Sequence, residues 1–409
     1  MARVRAACAA VALVSIAVTG CTGDEPRTPA SSPAAAVAVT PRPSRTDLRD
    51  ALIAAAWAGD VPGARRLIAA GADVNDKDAT QQSAHLIAAS EGNLELLELT
   101  LQHGADVAAL DSYNGTGVIR AAERGHAHVV GRLVRADADV DHVNNLGWTA
   151  LHEAIIFGDG STRYADTVRV LAAAGADFAL ASRKDGVAPA DHARSAGHAD
   201  VLTTVSAVLS AQPPDDPNAA LLGAAASGDA DRVALALRAG AAIETRDERR
   251  RTPLLLAVTA DRVDAARVLV TLGADPDAVD DRDDTPWLVT GVTGSVEMLE
   301  VLLPARPDLT LRNRFGGTSL IPASERGHVD YVRRVVGTGI DVNHVNDLGW
   351  TALLEAVILG DGSARYQEIV RILLAAGADR RIADKDGVTP VEHARVKGHD
   401  AIYRILTDS

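Results

Sequence analysis

In this 409-residue chain, His192 and His393 stand directly beside a carboxylate in two matching sequences, Asp191-His192-Ala193-Arg194 and Glu392-His393-Ala394-Arg395. A carboxylate in contact with an imidazole could act as a general acid–base pair. Adjacent positions on a helix do not face each other, however, so a structural role is favoured for both histidines. The chain also has no His-Glu-x-x-His, Gly-x-Ser-x-Gly or Gly-x-x-x-x-Gly-Lys sequence. These observations predict a protein that is not an enzyme and needs no cofactor.

Asp159 and Asp361 each lie in a Gly-Asp-Gly-Ser sequence of the kind found in cation-binding loops. Calcium takes roughly six to eight oxygen ligands, usually from several carboxylates. Because each loop supplies a single aspartate, the sequence predicts no metal site here. A small-molecule or ion binder, or an enzyme of unrecognised type, built on these loops remains the alternative function.

Both loops continue with an arginine and a tyrosine, which are residue types favoured at protein-binding hot spots. One interpretation is that the loops contact a partner protein. The other is that each tyrosine begins the following helix and packs on its neighbour. The candidate partner-binding residues in the loops are Asp159, Arg163, Tyr164, Asp361, Arg365 and Tyr366.

The loops belong to a passage that occurs twice. Residues 142–177 and 344–379 are identical at 26 of 36 positions, at a constant offset of 202. A smaller unit recurs about every 33 residues within and around both copies. Self-similarity at this period predicts a stack of repeats in which each unit contacts only its neighbours.

The units share an opening, a turn and an ending. They open with Thr-Pro-Leu or Thr-Ala-Leu-His, as at 252–254 and 149–152, turn at Gly-His, as at 125–126, and close with Gly-Ala-Asp, as at 175–177. This series resembles the ankyrin repeat over nearly all of 47–409. The resemblance implies an all-α solenoid of helix pairs joined by hairpin fingers. A threonine suits the helix N-cap and a proline the first helical turn, which agrees with that fold.

We predict two tandem ankyrin stacks, five repeats in 47–211 and six in 218–409, separated by the proline-rich linker 212–217. Whether the stacks pack together or hinge at the linker is left open. Pro322 falls inside an expected first helix and should kink or shorten it. Relative to the usual ankyrin spacing, the two Gly-Asp-Gly-Ser loops add about six residues, and loops on a rigid scaffold often carry binding.

Trp148 and Trp350 follow the predicted hairpin tips His142-Val143-Asn144 and His344-Val345-Asn346. In ankyrin-like stacks the tips and first helices line a concave groove that holds partners. The resemblance therefore places both tryptophans in a candidate binding groove. Alternatively, the aromatic rings brace the hairpin and the asparagines close its turn.

The N-terminus has the order of a bacterial lipoprotein signal. Arg3 and Arg5 precede an apolar run of 15 residues that ends in Val18-Thr19-Gly20-Cys21, similar to a lipobox. We expect a signal peptide over 1–20, lipidation at Cys21 and a Pro/Ser/Thr/Ala-rich tether over 21–46. An ordinary secretory signal with an incidental cysteine is the alternative.

The net charge of −14 disfavours nucleic acid as a partner, because nucleic-acid binding depends on Lys and Arg at phosphates. The sequence thus predicts a monomeric, non-catalytic protein-binding module. It would be attached through lipid alone to the outer side of the cytoplasmic membrane of a bacterium, an actinobacterial type by composition. The partner protein itself is not indicated.

Overall fold

The computed structural model describes residues 43–408, and the regular structure in that range is entirely helical. The predicted signal peptide, Cys21 and nearly all of the predicted tether lie outside the described residues. No helix within 43–408 is long and apolar enough to cross a membrane.

The helices have the following bounds: α1 Arg45–Trp57, α2 Val61–Ala69, α3 Ala84–Glu91, α4 Leu94–Gln102, α5 Gly117–Glu123, α6 Ala127–Val134, α7 Ala150–Ile156, α8 Thr162–Ala173, α9 Pro189–Ala196, α10 Ala199–Ser210, α11 Pro217–Ser227, α12 Ala230–Arg238, α13 Pro253–Thr259, α14 Val263–Thr271, α15 Pro286–Thr293, α16 Val296–Leu302, α17 Leu320–Glu325, α18 Val329–Val335, α19 Ala352–Ile358, α20 Ala364–Ala375, α21 Pro390–Val396 and α22 Asp400–Asp408. Short 3₁₀ turns follow α16 and α18, at Leu303–Ala305 and Val336–Thr338.

Threonine caps begin many of the first helices, as the sequence predicts. The Thr252 hydroxyl accepts a hydrogen bond from the Leu255 amide at 3.2 Å, and Pro253 occupies the first helical turn. Thr351 caps α19 in the same way, through the Leu354 amide at 3.2 Å. Each cap satisfies a backbone donor that the helix itself leaves free.

Consecutive helices form pairs, and the pairs stack. The odd-numbered first helices pack side by side, and the even-numbered second helices pack on each other behind them. Each stack buries a continuous apolar core, which a single pair could not form. The predicted all-α solenoid is confirmed.

The second series of helices, α11–α22, folds back along the first, α1–α10. Helix α12 packs on α8, and α14 packs on α8 and α6. Further along, the turn after α16 meets α4, since Leu303 and Pro304 line a cleft together with Leu94 and Glu98. The two series therefore run antiparallel, with their second helices in contact. Residues 44–408 belong to one compact unit.

Polar groups and one close backbone approach hold this contact. Asp166 is buried between Arg169, at 3.1 Å, and Arg267 of the second series, at 3.0 Å. Arg169 also reaches Asp231 of the second series at 2.8 Å. A β-carbon added to Gly131 of α6 would overlap the carbonyl oxygen of Thr271. A glycine is thus needed where α6 meets the end of α14.

The first helix that contains Pro322 is short, as expected from the sequence. Helix α17 has six residues and begins at Leu320, whereas α5, at the matching position 202 residues earlier, has seven and begins directly after the Thr116 cap. Ser319 precedes α17 without a side-chain capping bond. This unit starts later than its counterpart because proline cannot donate a backbone hydrogen bond.

Candidate binding grooves

The first helices and fingers of the second series enclose a groove with a volume of about 460 Å³. We call it the second groove. Its floor is formed by one face of α13, α15, α17 and α19, and its wall by the finger residues before each helix. Because the two series touch through their second helices, the first helices lie on the far side of each stack from that contact. The groove is thus open to solvent.

Three large apolar side chains of the second groove are about half exposed: Phe315, Leu348 and Leu359. The predicted groove residue Trp350 lines it with them and is partly buried. Soluble proteins rarely leave large apolar side chains exposed together without a binding role. Phe315, Leu348 and Leu359 escaped the sequence interpretation, although each is an apolar residue at a finger or helix end where a repeat needs none.

The corresponding positions of the first series, 202 residues earlier, form what we call the first groove. Tyr113 and Phe157 are about half exposed there. The Trp148 ring packs edge-on against Phe157, with centroids 6.1 Å apart, and the Lys184 ammonium lies 5.8 Å from the Trp148 ring centroid. Trp148 is partly buried like Trp350. Each predicted tryptophan therefore lies beside half-exposed apolar side chains of its own series.

Each groove has a buried asparagine–glutamate pair at its edge. The Asn144 amide donates to Glu153 at 2.7 Å, and the Asn346 amide donates to Glu355 at 2.9 Å. Burial raises the pKa of both glutamates to about 7, and the asparagine hydrogen bond opposes that rise.

The asparagine carbonyl also closes the finger. Asn144 Oδ1 accepts from the amides of Leu146 and Trp148, at 2.9 and 3.0 Å. Asn346 Oδ1 accepts from the amides of Leu348 and Trp350, at 3.0 and 2.9 Å. The interpretation that asparagine closes the hairpin turn agrees with this geometry, and it is compatible with a groove position for the tryptophans.

Charged residues differ between the grooves. In the first, Arg120 is paired with the buried Asp111 and, at 2.9 Å, with Glu123. In the second, the position of Arg120 is taken by Pro322 and that of Asp111 by Asn313. Arginines instead come from the fingers, and Arg314 lies over the Phe315 ring at 4.5 Å from its centroid.

The duplicated loops bind their own backbone. Asp159 accepts from the Ser161 amide and Asp361 from the Ser363 amide, each at 2.9 Å. Arg163 reaches Asp159 at 3.5 Å, and Arg365 reaches Asp361 at 3.7 Å, with all four side chains exposed. None of the four lines the second groove. Their predicted role in partner binding stays a prediction, at a surface separate from that groove.

The two loop tyrosines are not available to a partner. Tyr164 is 4% exposed and Tyr366 6% exposed. Their hydroxyls donate to backbone carbonyls of the preceding repeat, Tyr164 to Glu123 at 3.1 Å and Tyr366 to Glu325 at 2.9 Å. The structure thus contradicts a hot-spot role for the tyrosines and supports the alternative, in which each begins a helix and packs on its neighbour. The inserted loop lets the ring reach back across the repeat boundary.

The histidine–carboxylate neighbours do not pair with each other in the second series. His393 contacts Asp384 of the finger at 2.7 Å, while Glu392 accepts from the Thr389 amide at 2.9 Å. Within residues 43–408, no group of three or more His, Cys, Asp and Glu side chains is placed to hold a metal ion.

Comparison with known proteins identifies the repeats. A family model for ankyrin repeats in three copies matches residues 85–182 and 287–379, and one for the single ankyrin repeat matches 249–281. The ankyrin repeat protein YahD of Escherichia coli (strain K12) is 39% identical over 184 residues, which is 45% of this chain and 92% of YahD. This chain is an ankyrin repeat protein.

Other ankyrin proteins match smaller shares. The human ankyrin repeat domain-containing protein 63 is 38% identical over 30% of this chain and 33% of its own length. A crystal structure of an ankyrin repeat domain from Acinetobacter baumannii AYE is 47% identical, covers 46% of this chain and 96% of its own, and has a TM-score of 0.45. Ankyrin repeats are in general non-catalytic protein-interaction modules.

Proposed function

We propose that this ankyrin protein binds a partner protein in its concave grooves. The observation that carries the proposal is the set of half-exposed apolar side chains in each groove, Tyr113 and Phe157 in the first and Phe315, Leu348 and Leu359 in the second. An apolar centre with a charged rim is the composition of a protein-binding surface. The first helices beneath are packed in the core, so the surface is largely pre-formed and loses little conformational entropy on binding.

A crosslinked capture experiment on envelope extract tests the grooves. The bait is the full chain, beside the variant Phe315→Ala/Leu359→Ala and a first-groove variant, Tyr113→Ala/Phe157→Ala. Each truncates two half-exposed side chains, so the melting temperature should hold while a specific partner is lost. Leu209→Ala removes an equally exposed leucine outside both grooves and is the control. Capture that is equal for the parent and both groove variants would contradict the proposal.

We further propose that the protein is held at the outer side of the cytoplasmic membrane by lipid on Cys21. Support comes from the order of basic residues, apolar run, small residues and cysteine in 1–21. Acyl chains hold a protein at a bilayer by buried methylene groups. Cys21→Ser should move the protein from the membrane fraction to the soluble fraction or stall its processing. Unchanged membrane retention would contradict the anchor and leave the groove proposal intact.

A further inference from the structure

The second groove carries more positive charge than the rest of the chain would suggest. Arginine side chains line it from three fingers and one helix end: Arg249, Arg251, Arg282, Arg314 and Arg326. The carboxylates that line it are Asp280, Asp284, Glu325 and the buried Glu355. The whole chain has a net charge of −14. A local excess of arginine in an acidic protein is a feature of the groove rather than of the composition.

Two of these arginines have no acidic partner. Arg249 and Arg326 are exposed, and no carboxylate of residues 43–408 lies within ion-pair distance of either guanidinium. Arg282 and Arg314 share the single carboxylate of Asp284, at 3.9 and 3.3 Å. The groove therefore has guanidinium donors left over for an external anion.

The acids on the groove do not neutralise this excess. Asp280 is buried, and its Oδ1 accepts from the backbone amides of Arg282 and Asp284, at 2.8 and 3.0 Å. Glu355 is buried and hydrogen-bonded to Asn346. Glu325 is the remaining lining carboxylate; its charge contributes to the raised pKa of Glu355, and no ion pair joins it to an arginine within residues 43–408.

Apolar and cationic groups line the same groove. Arg314 lies over the Phe315 ring, and Leu348 and Leu359 are half exposed nearby in the groove. A ligand that satisfies both must offer apolar side chains together with carboxylates. Guanidinium groups pair with carboxylates through two parallel hydrogen bonds, and the exposed leucines and phenylalanine would cover the apolar side chains.

We infer that the second groove recognises an acidic protein segment, in which apolar side chains that seat on Phe315, Leu348 and Leu359 are flanked by glutamates or aspartates. The first groove differs in its cations: Arg120 is already paired with Asp111 and Glu123, Arg124 is paired with Glu91 at 2.6 Å, and a lysine, Lys184, lies over the Trp148 ring. This inference rests on the proposed function and names the class of partner that one groove takes.

Fluorescence anisotropy with the full chain and defined peptides tests the inference. The first peptide has two leucines and a tryptophan flanked by glutamates. The second replaces each glutamate with lysine, and the third keeps the glutamates but replaces the apolar residues with serine. We expect the first peptide to bind, with an affinity that falls as salt is raised, and the other two to bind at least roughly tenfold more weakly, the loss of about 1.4 kcal/mol being a factor of ten.

Matched variants locate the site. Arg249→Ala/Arg326→Ala should weaken binding of the acidic apolar peptide by roughly tenfold, since each exposed ion pair contributes only modestly. Arg124→Ala, the first-series counterpart of Arg326→Ala, should leave binding unchanged. Both arginines of the double variant are exposed, so melting temperature should be unaffected and serves as the fold check.

Three results would overturn the inference. One is failure of the acidic apolar peptide to bind at millimolar concentration, and another is equal binding by the parent and the double variant. The third is tighter binding of a single-stranded oligonucleotide than of the peptide, which would assign the arginines to phosphates. If the envelope capture still depends on Phe315 and Leu359 in any of these cases, the proposed function stands and only the partner class is wrong.

Discussion

The two grooves of this protein are built on the same frame but have different rims. Asn144 and Asn346 close equivalent fingers and donate to equivalent buried glutamates. The first groove has its arginine locked in an ion pair with the buried Asp111. In the second groove, Asn313 stands at the position of Asp111 and Pro322 at that of Arg120. The arginines that line the second groove lie mainly on the fingers.

This difference shows which residues the repeat itself requires. The positions that are identical in the two copies include buried groups with hydrogen bonds to backbone or to each other, such as Tyr164 and Tyr366. Leaving such a group unsatisfied costs about 1–3 kcal/mol, so a change there is expensive. Among the positions that differ are exposed ones, such as Tyr113 and Phe315, where we expect a substitution to have little effect on folding.

The largest expected effect tests the shared part of the frame. Tyr164→Ala and Tyr366→Ala each remove a buried ring that reaches the preceding repeat, and each should lower the free energy of unfolding by roughly 3 kcal/mol. Urea unfolding followed by circular dichroism measures this, with Tyr→Phe at the same sites as a control that loses the hydroxyl bond alone. Unfolding midpoints that do not move in either alanine variant would return the tyrosines to a surface role.

The next effect tests a difference between the second helices of the two series. Gly131 meets the Thr271 carbonyl, whereas the matching position of the second series is the exposed Arg333. Gly131→Ala should cost about 1–3 kcal/mol through overlap with backbone. Gly223→Ala, in a helix with open space around it, should be neutral or slightly stabilising. Equal stability of Gly131→Ala and the parent would mean that the two series do not touch in solution.

The smallest expected effect is a pH dependence of stability, and it tests whether the two buried glutamates, Glu153 and Glu355, titrate alike. The pKa of Glu355 is raised from 4.5 to about 7 in the folded state, so the folded protein holds more protons than the unfolded chain between those values. The free energy of unfolding should therefore fall as pH rises through that window.

Glu355→Gln and Glu153→Gln keep the oxygen that accepts from asparagine and remove the titration. Each should flatten the pH dependence by a similar amount and make the protein more stable than the parent at pH above about 7. Chemical denaturation at a series of pH values measures it. A slope that both variants share with the parent would show that neither glutamate has a raised pKa.

The sequence predicts the solenoid well because its signals are local. Threonine caps and the terminal Gly-Ala-Asp each act within a few residues, so their spacing alone determines the helix pairs. The return of the second series along the first has no such signal, because it depends on residues about a hundred positions apart, such as Asp166 and Arg267.

The sequence predicts the candidate site only in part, because some of its residues are positioned by local signals and others by contacts between repeats. Trp148 and Trp350 follow from the finger positions that the ankyrin resemblance supplies. The burial of Tyr164 does not, because whether an inserted loop projects outward or folds back depends on the space above the preceding glycine turn. Phe315 escaped notice since a single apolar residue in a polar finger is common in any surface.

The doubling back of the solenoid also has a mechanical consequence. A single free stack of helix pairs can bend, because each contact between neighbouring pairs allows a small movement. Here the two stacks are joined through their second helices. Bending either stack would require α8 to slide along α12 and would break the ion pair between Asp166 and Arg267. This contact holds the two grooves at a constant separation, so a partner that binds both must present its two binding segments at that same separation.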